Sequence, residues 1–258
     1  MKDKLKEIIL EAGKILRDGY FSKKDVNFKA KKDLVTKYDV AVENFLKEKF
    51  SDEFKDFNLI AEESNNENIE FNNSIIIDPI DGTTNFVNQV PHTAISVGVY
   101  KDKKPYIGIV YNPILDELYE AQINCGAFLN GEKIEVSKEK VFQKALISTG
   151  FPYSSGTNQD DLLDVIEKIK NILPKCQDIR RLGSAALDLC YVAKGTYEGY
   201  YEMNLKAWDV SAGIIILLEA GGQVSNLYLQ DYKLFEDKYI VASNGLIHSH
   251  LISNLVMK

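Results

Sequence analysis

Apolar residues recur at helical spacing in two stretches near the start of the chain, residues 5–16 and 42–50. Each stretch predicts an amphipathic helix with one buried face. Asp39 lies near the start of the second helix, where a carboxylate is favoured by the helix dipole. The lysine-rich segment between them, residues 22–33, has weak periodicity and predicts an exposed loop or a hairpin.

The pattern then changes to short apolar or alternating runs, which predict strands. These runs cover residues 58–61, 75–78, 94–100, 106–111 and 118–121, with a hairpin tip at 102–104. Because Pro79 has no N–H for a ladder, we expect the second strand to end there. Strands that follow two helices indicate an α+β first half, up to about residue 143.

From about residue 144 the pattern alternates between strand and helix, which is typical of an α/β layer. Strands are predicted at 145–149, 197–203, 223–226 and 239–243, and helices at 162–169, 184–194, 210–220 and from 246 onward. Neither a repeat nor a low-complexity linker interrupts the chain. We therefore expect a single domain spanning residues 1–258, with a cleft between the halves 1–143 and 144–258.

Composition narrows the possible functions. The 258 residues are 45% hydrophobic, enough for a large core, and the net charge of −7 disfavours a nucleic-acid partner. Three widely spaced cysteines without a C-x-x-C pair indicate neither a disulfide framework nor a zinc site. A charged N-terminus and the lack of a long apolar run predict no signal peptide and no membrane association. These features favour a cytoplasmic protein.

Residues 78–86, DPIDGTTNF, carry the chemistry that stands out most. Asp78 and Asp81 follow a buried strand, with the Ile80 carbonyl between them as a further hard oxygen ligand. Gly82 allows close approach of the main chain to a ligand, and Thr83 with the next threonine predicts a capped helix start that can receive a phosphate. An ordinary turn is the alternative, whereas an EF-hand loop is excluded by its missing ligand positions.

Two further places carry acids at strand ends or helix starts. Glu62 and Glu63 close the strand 58–61, and Asp209 follows Trp208 at the start of a predicted helix. Taken singly, the glutamates could be a solvated turn and Asp209 a helix cap. If Glu62, Asp78, Asp81 and Asp209 met in one cleft, their four negative charges would need cations, as in a two-metal site.

DPIDGTTNF resembles the signature of the inositol monophosphatase family, within the lithium-sensitive, magnesium-dependent phosphatases. The resemblance extends over nearly the whole chain, through Glu62-Glu63 and the segments DLVTKYD (33–39), GFPY (150–153), RRLGSAALDLCYVAKG (180–195), WDVSAG (208–213) and EAGG (219–222). It implies a layered αβαβα sandwich, with a mixed antiparallel sheet in the first half and an α/β layer in the second.

The resemblance also implies site roles. It places two to three Mg²⁺ ions on a set of five ligands: Glu62, Asp78, Ile80 (through its carbonyl), Asp81 and Asp209. It makes Glu62, Thr83 and Asp39 catalytic, with a metal-activated water as nucleophile and no covalent intermediate. The substrate-binding residues that it implies are Glu62, Ile80, Asp81, Gly82, Thr83, Gly183, Ser184, Ala185, Glu202 and Asp209.

The substrate class implied is a small sugar-like phosphate ester, most simply inositol 1-phosphate. Fructose-1,6-bisphosphate and histidinol phosphate remain open, and the sequence before Trp208 argues against 3′-phosphoadenosine 5′-phosphate. Glu202 could instead be an exposed acid at a strand end. Members of the family are commonly homodimers, and we expect one here. The rival from another class is a regulatory metal-binding protein with the same fold.

Overall fold

The computed structural model of the protein describes residues 1–22, 26–30, 33–64 and 71–256. Within these ranges the helices are α1 (Lys2–Phe21), α2 (Lys37–Glu53), α3 (Thr83–Val87), α4 (Gln159–Ile172), α5 (Ala185–Ala193), α6 (Ala207–Glu219) and α7 (His248–Leu255). The strands are β1 (Val26–Ala30), β2 (Asp33–Thr36), β3 (Asn58–Ala61), β4 (Ser74–Asp81), β5 (Ala94–Lys101), β6 (Lys104–Asn112), β7 (Glu117–Gln122), β8 (Gly126–Leu129), β9 (Glu132–Ile134), β10 (Leu146–Thr149), β11 (Asp178–Arg180), β12 (Gly199–Met203), β13 (Gln223–Ser225) and β14 (Tyr239–Ser243). Two short 3₁₀ turns lie at Phe142–Lys144 and Tyr153–Gly156.

The described strands form two large sheets and one hairpin. Seven strands, β3 to β9, pair in chain order, with β3 and β4 parallel and the other neighbours antiparallel. Five strands form a mixed sheet in the order β11-β10-β12-β14-β13. Strands β1 and β2 pair antiparallel with each other.

Helices cover both sheets and fill the space between them. Helices α1 and α2 pack on the outer face of the larger sheet, and α5 and α6 lie between the two sheets. Helices α4 and α7 cover the outer face of the smaller sheet. This is the αβαβα order of layers, so the predicted fold class is confirmed.

Helix α6 lies close against the larger sheet because two paired strand positions are glycines. Gly98 of β5 is opposite Gly108 of β6. A Cβ at Gly98 would lie 2.5 Å from Ser211 Oγ, and one at Gly108 would lie 2.5 Å from the Ala212 carbonyl oxygen. Side chains at either position would push the helix outward, and the first turn of that helix carries Asp209.

The prediction that the second strand stops at Pro79 is wrong. Strand β4 runs to Asp81, and its pairing with β5 passes from Asp78↔Ser96 to Asp81↔Ala94 through an irregularity. Such a bulge leaves a residue unpaired, so the missing N–H of Pro79 removes no ladder bond.

Other differences are smaller. The predicted helices are confirmed, but α6 begins at Ala207 rather than at residue 210, and strands β8, β9 and β11 were not predicted. The loop or hairpin predicted at 22–33 is a hairpin where its backbone is described, and residues 23–25 and 31–32 lie outside the described residues. No helix in the described part of the chain has the length and apolar composition needed to cross a bilayer.

Candidate active site

Three of the predicted acids converge between the two sheets. Asp78 and Asp81 lie at the end of β4, and Asp209 lies in the first turn of α6. Each contributes a carboxylate oxygen to a group in which all three oxygens lie within 4.8 Å of one another. Asp78 and Asp81 are buried and Asp209 is half-buried. We call these three residues the acidic cluster.

Main-chain and hydroxyl donors fix the orientation of each carboxylate in the cluster. The Ile80 N–H donates to Asp78 Oδ1 at 3.0 Å. The Lys206 N–H donates to Asp209 Oδ2 at 2.6 Å, which holds that side chain at the helix start. Asp81 is held by donors from another element, because the Ser184 hydroxyl and the Ala186 N–H reach its Oδ2 at 2.5 and 2.8 Å.

Glu62 lies beside this cluster. It follows β3 directly, and its N–H extends the pairing of that strand by donating to the Ile77 carbonyl at 3.3 Å. Its side chain hydrogen-bonds with Asp78, and its charge also acts on Asp209. The structure therefore brings three of the predicted metal ligands into one group, and Glu62 acts on two of them through its charge. The Ile80 carbonyl lies between Asp78 and Asp81 in the chain.

The electrostatics of the cluster are unfavourable without a cation. Burial raises the pKa of Asp78 well above its usual value, and the neighbouring carboxylates raise it further. Burial also raises the pKa of Asp209, with added repulsion from Asp81 and Glu62. The pKa of Asp81 rises to about 6 through burial, although its hydrogen bonds oppose the shift. Converging oxygen donors with excess negative charge fit a hard divalent cation.

A hydroxyl–carboxylate pair lies next to the cluster. Thr83 Oγ1 is 3.1 Å from Asp39 Oδ1 and 3.0 Å from the Ile80 carbonyl oxygen. The other oxygen of Asp39 accepts from both the N–H and the hydroxyl of Thr36, at 2.7 and 2.6 Å. Burial raises the pKa of Asp39, and these hydrogen bonds counteract that shift. The pair thus offers a fixed hydroxyl with a carboxylate behind it.

The predicted threonine cap of the short helix α3 is wrong. Gly82 is the N-cap, with φ of +84°, and Thr83 is the first helical residue. The tight packing explains the glycine, since a Cβ there would lie 3.0 Å from the carbonyl oxygens of Gly183 and His92. The Thr83 hydroxyl is consequently free to turn toward Asp39 rather than toward its own helix.

The residues predicted to bind the substrate border the cluster. Gly183 and Ser184 precede α5 and Ala185 begins it, so they meet Gly82 and Asp81 through the contacts above. Glu202, on β12, accepts a 2.6 Å hydrogen bond from the Tyr200 hydroxyl. Burial raises the pKa of Glu202 to about 7, and the charge of Asp81 contributes to that rise. Glu202 is therefore not an isolated surface acid.

Sequence reasoning missed several supporting residues: Thr36, Glu43, Asn85 and Tyr200. The Asn85 amide donates to the carbonyl oxygens of His92 and Leu182, at 2.7 and 2.8 Å, and so joins the chain beyond α3 to the loop before α5. Thr36 precedes Asp39 by three residues, a spacing typical of a helix cap. That spacing was a usable signal, whereas the others depend on tertiary contacts.

Comparison with known proteins agrees with this site and fold. A model of the Inositol monophosphatase family matches residues 3–257, and the chain belongs to that family. Inositol monophosphatase 2 of Solanum lycopersicum is 42% identical over 257 residues, covering 96% of this chain and 95% of the relative. A fructose-1,6-bisphosphatase/inositol-1-monophosphatase of Aquifex aeolicus is 34% identical, covering 94% and 90%.

A solved structure is also similar. The crystal structure of the extragenic suppressor protein suhB from Bartonella henselae has a TM-score of 0.90 at 33% identity, covering 98% of this chain and 97% of that one. The resemblance found in the motifs is thereby confirmed, and it extends over the whole fold.

Proposed function

We propose that the protein is a Mg²⁺-dependent phosphomonoesterase that hydrolyses a small sugar-like phosphate, with inositol 1-phosphate as the leading candidate. The observation that supports this most directly is the acidic cluster next to the Thr83–Asp39 pair. A protein that only stored ions would need the carboxylates but not a buried hydroxyl backed by a second carboxylate. Family membership supports the same reaction class.

Glu62, Asp78, Asp81, Asp209 and the Ile80 carbonyl would hold two to three Mg²⁺ ions. When bound, such ions lower the pKa of a coordinated water and stabilise negative charge on a phosphoryl group. The chain's own residues then orient the attacking water and accept its proton. The Thr83 hydroxyl aligns the attacking water, and Asp39 draws the proton through that hydroxyl. Its buried setting makes Asp39 a stronger base than an exposed aspartate.

The substrate would lie between α3 and α5. The first N–H groups of a helix have no acceptor within it, so the Thr83 N–H can donate to a phosphate oxygen. The Gly82 N–H, which faces the Asp81 carboxylate, would have to exchange that acceptor for the phosphate. Ring hydroxyls would meet Glu202, Asp209 and Asp81, together with Gly183, Ser184 and Ala185. Because Asp81 already accepts from Ser184 and Ala186, its remaining oxygen is fixed in direction. A rigid set of acceptors suits a ring with neighbouring hydroxyls.

Fructose-1,6-bisphosphate is the second candidate, because one relative is named for both activities. A single assay compares the candidates: phosphate release from inositol 1-phosphate, fructose-1,6-bisphosphate, histidinol phosphate and 3′-phosphoadenosine 5′-phosphate, with Mg²⁺ and after chelation. We expect Mg²⁺-dependent release, fastest from inositol 1-phosphate and inhibited by lithium. If all four esters stay intact with Mg²⁺, a regulatory metal-binding protein becomes the better interpretation.

The assembly that we propose is a homodimer. Light scattering on the purified protein tests it directly, and a monomer mass at the assay concentration would contradict it.

A further inference from the structure

Helix α2 carries a second buried acid, one turn beyond Asp39. Glu43 is four residues further along, so both side chains leave the same face of the helix. Asp39 is fully buried and Glu43 is 2% exposed. A buried carboxylate is costly unless donors satisfy it, so the partners of Glu43 indicate why it lies there.

Both oxygens of Glu43 bind the segment that follows β3. Its Oε2 accepts from the Glu63 N–H at 2.7 Å, and its Oε1 accepts from the Ser64 hydroxyl. One turn further along α2, Lys47 Nζ donates to the same Ser64 hydroxyl at 2.6 Å. One face of this helix therefore holds residues 63 and 64 through side chains.

This segment begins where support from the sheet ends. The pairing of β3 with β4 runs to Ala61↔Ile77, and the Glu62 N–H adds one bond to the Ile77 carbonyl. In the described part of the chain, β3 also lies at one edge of its sheet, with β4 as its neighbour. The direction of Glu62 therefore depends on how the chain is held immediately after it, and Glu43 supplies that hold at the next peptide group.

We propose that Glu43 is a positioning residue, which aims Glu62 at the acidic cluster by fixing residues 63 and 64. Helix α2 then supports the site at two points, since Asp39 holds Thr83 and Glu43 holds the chain of Glu62. The inference deepens the proposed function and rests on its metal site. It requires no contact between Glu43 and either a metal or a substrate.

The test is a calorimetric titration of Mn²⁺, as a stand-in for Mg²⁺, into metal-free protein without any ester. Glu43→Gln keeps the size of the side chain, but its amide nitrogen cannot accept a hydrogen bond. Loss of such an outer partner typically costs 10–100-fold in metal affinity, so we expect the Kd to rise about tenfold or more. Ser64→Ala removes one donor only, and the net worth of a single hydrogen bond sets the expected rise in Kd at about threefold.

Glu48→Gln is the matched control, because Glu48 is an exposed glutamate on the same helix. The Kd of this variant for Mn²⁺ should equal that of the wild type. Thermal unfolding of the metal-free variants separates a positioning role from a folding role. Loss of positioning weakens Mn²⁺ binding and leaves the unfolding midpoint near that of the wild type, whereas a folding defect lowers the midpoint. A Kd within twofold of wild type for Glu43→Gln overturns the inference. Should that variant fail to fold, wild-type affinity in Ser64→Ala overturns it instead.

The result is independent of the proposed reaction, because no ester is present. Weaker Mn²⁺ binding in Glu43→Gln, together with four intact esters in the wild-type assay, would refute the phosphatase and leave the role of Glu43 standing. Normal Mn²⁺ binding in Glu43→Gln, together with an active wild-type enzyme, would refute the role of Glu43 and leave the proposed phosphatase activity standing.

Discussion

Asp209→Asn tests two opposite effects of the acidic cluster. Without metal, the cluster destabilises the fold through charge repulsion, and with metal, the same carboxylates bind the ion. The substitution removes one charge and keeps an oxygen that can accept from the Lys206 N–H. Two full charges 4.8 Å apart, the limit that bounds the cluster, repel by about 3 kcal/mol at an effective dielectric constant of about 20. Pairs closer than this limit repel more strongly, whereas the raised pKa values of Asp78 and Asp209 act in the opposite direction, so about 3 kcal/mol serves as the working figure.

We therefore expect the metal-free variant to unfold at a higher temperature than the metal-free wild type. For a chain of this size, each kcal/mol shifts the midpoint by roughly 2–4 °C, so a gain of about 3 kcal/mol corresponds to roughly 6–12 °C. With Mg²⁺ the order reverses, because the variant has lost a ligand. Turnover should fall by more than the roughly 10–100-fold that removal of an outer partner costs.

The assay is differential scanning calorimetry with chelator and with saturating Mg²⁺, alongside phosphate release. Asp231→Asn is the control, since Asp231 is exposed and its loss removes the same charge from the surface. The reasoning is refuted if metal-free Asp209→Asn unfolds below the wild type and still gains full stability and near-normal turnover from Mg²⁺.

Three further outcomes are expected. Thr83→Val should lower kcat by about 100-fold or more with little change in KM, whereas Thr83→Ser should restore most of it; equal activity of the two would contradict a role for the hydroxyl. The pKa of Asp81, about 6 when folded against 3.8 ordinarily, means that folded protein retains a proton that the unfolded chain loses. Lowering the pH from 7 to 5 should thus stabilise the metal-free protein by about 1 kcal/mol, and a calorimetric midpoint that falls would contradict this. Gly108→Ala should push α6 away from β6, because the new Cβ would meet the Ala212 carbonyl oxygen of that helix, and this should cost about 1–3 kcal/mol in urea unfolding and lower turnover; wild-type values would show that the helix tolerates the shift.

Much of the fold could be predicted because its signals are local. Helix α1 buries one face, and the residues that form this face recur at every helical turn in the sequence. The strands that escaped prediction, β8, β9 and β11, are short and mostly half-buried or exposed, so they lack the apolar run by which the equally short β3 and β10 were recognised. The continuation of β4 past Pro79 depends on its partner β5, and a single-strand pattern contains no information about that partner.

The residues of the candidate site also fall into those that local sequence could predict and those that depend on contacts between distant parts of the chain. Asp78 and Asp81 are close together in the chain, so a shared strand end was a local inference. Asp209 joins them from residues far along the chain, and only the resemblance connected it to them beforehand. Glu43 was missed because a glutamate on a helix is usually solvated, and its burial depends on a segment twenty residues away.

Helix α6 has a consequence for how mutations in this protein should be interpreted. It is packed on both sides, against the larger sheet through Gly98 and Gly108 and against α5. Buried apolar residues further along α6, such as Ile215, hold in place the helix that carries Asp209. Screens for impaired turnover should therefore recover substitutions of buried residues in the layer formed by α5 and α6. Such substitutions would lower turnover by shifting Asp209, although they change no residue of the site.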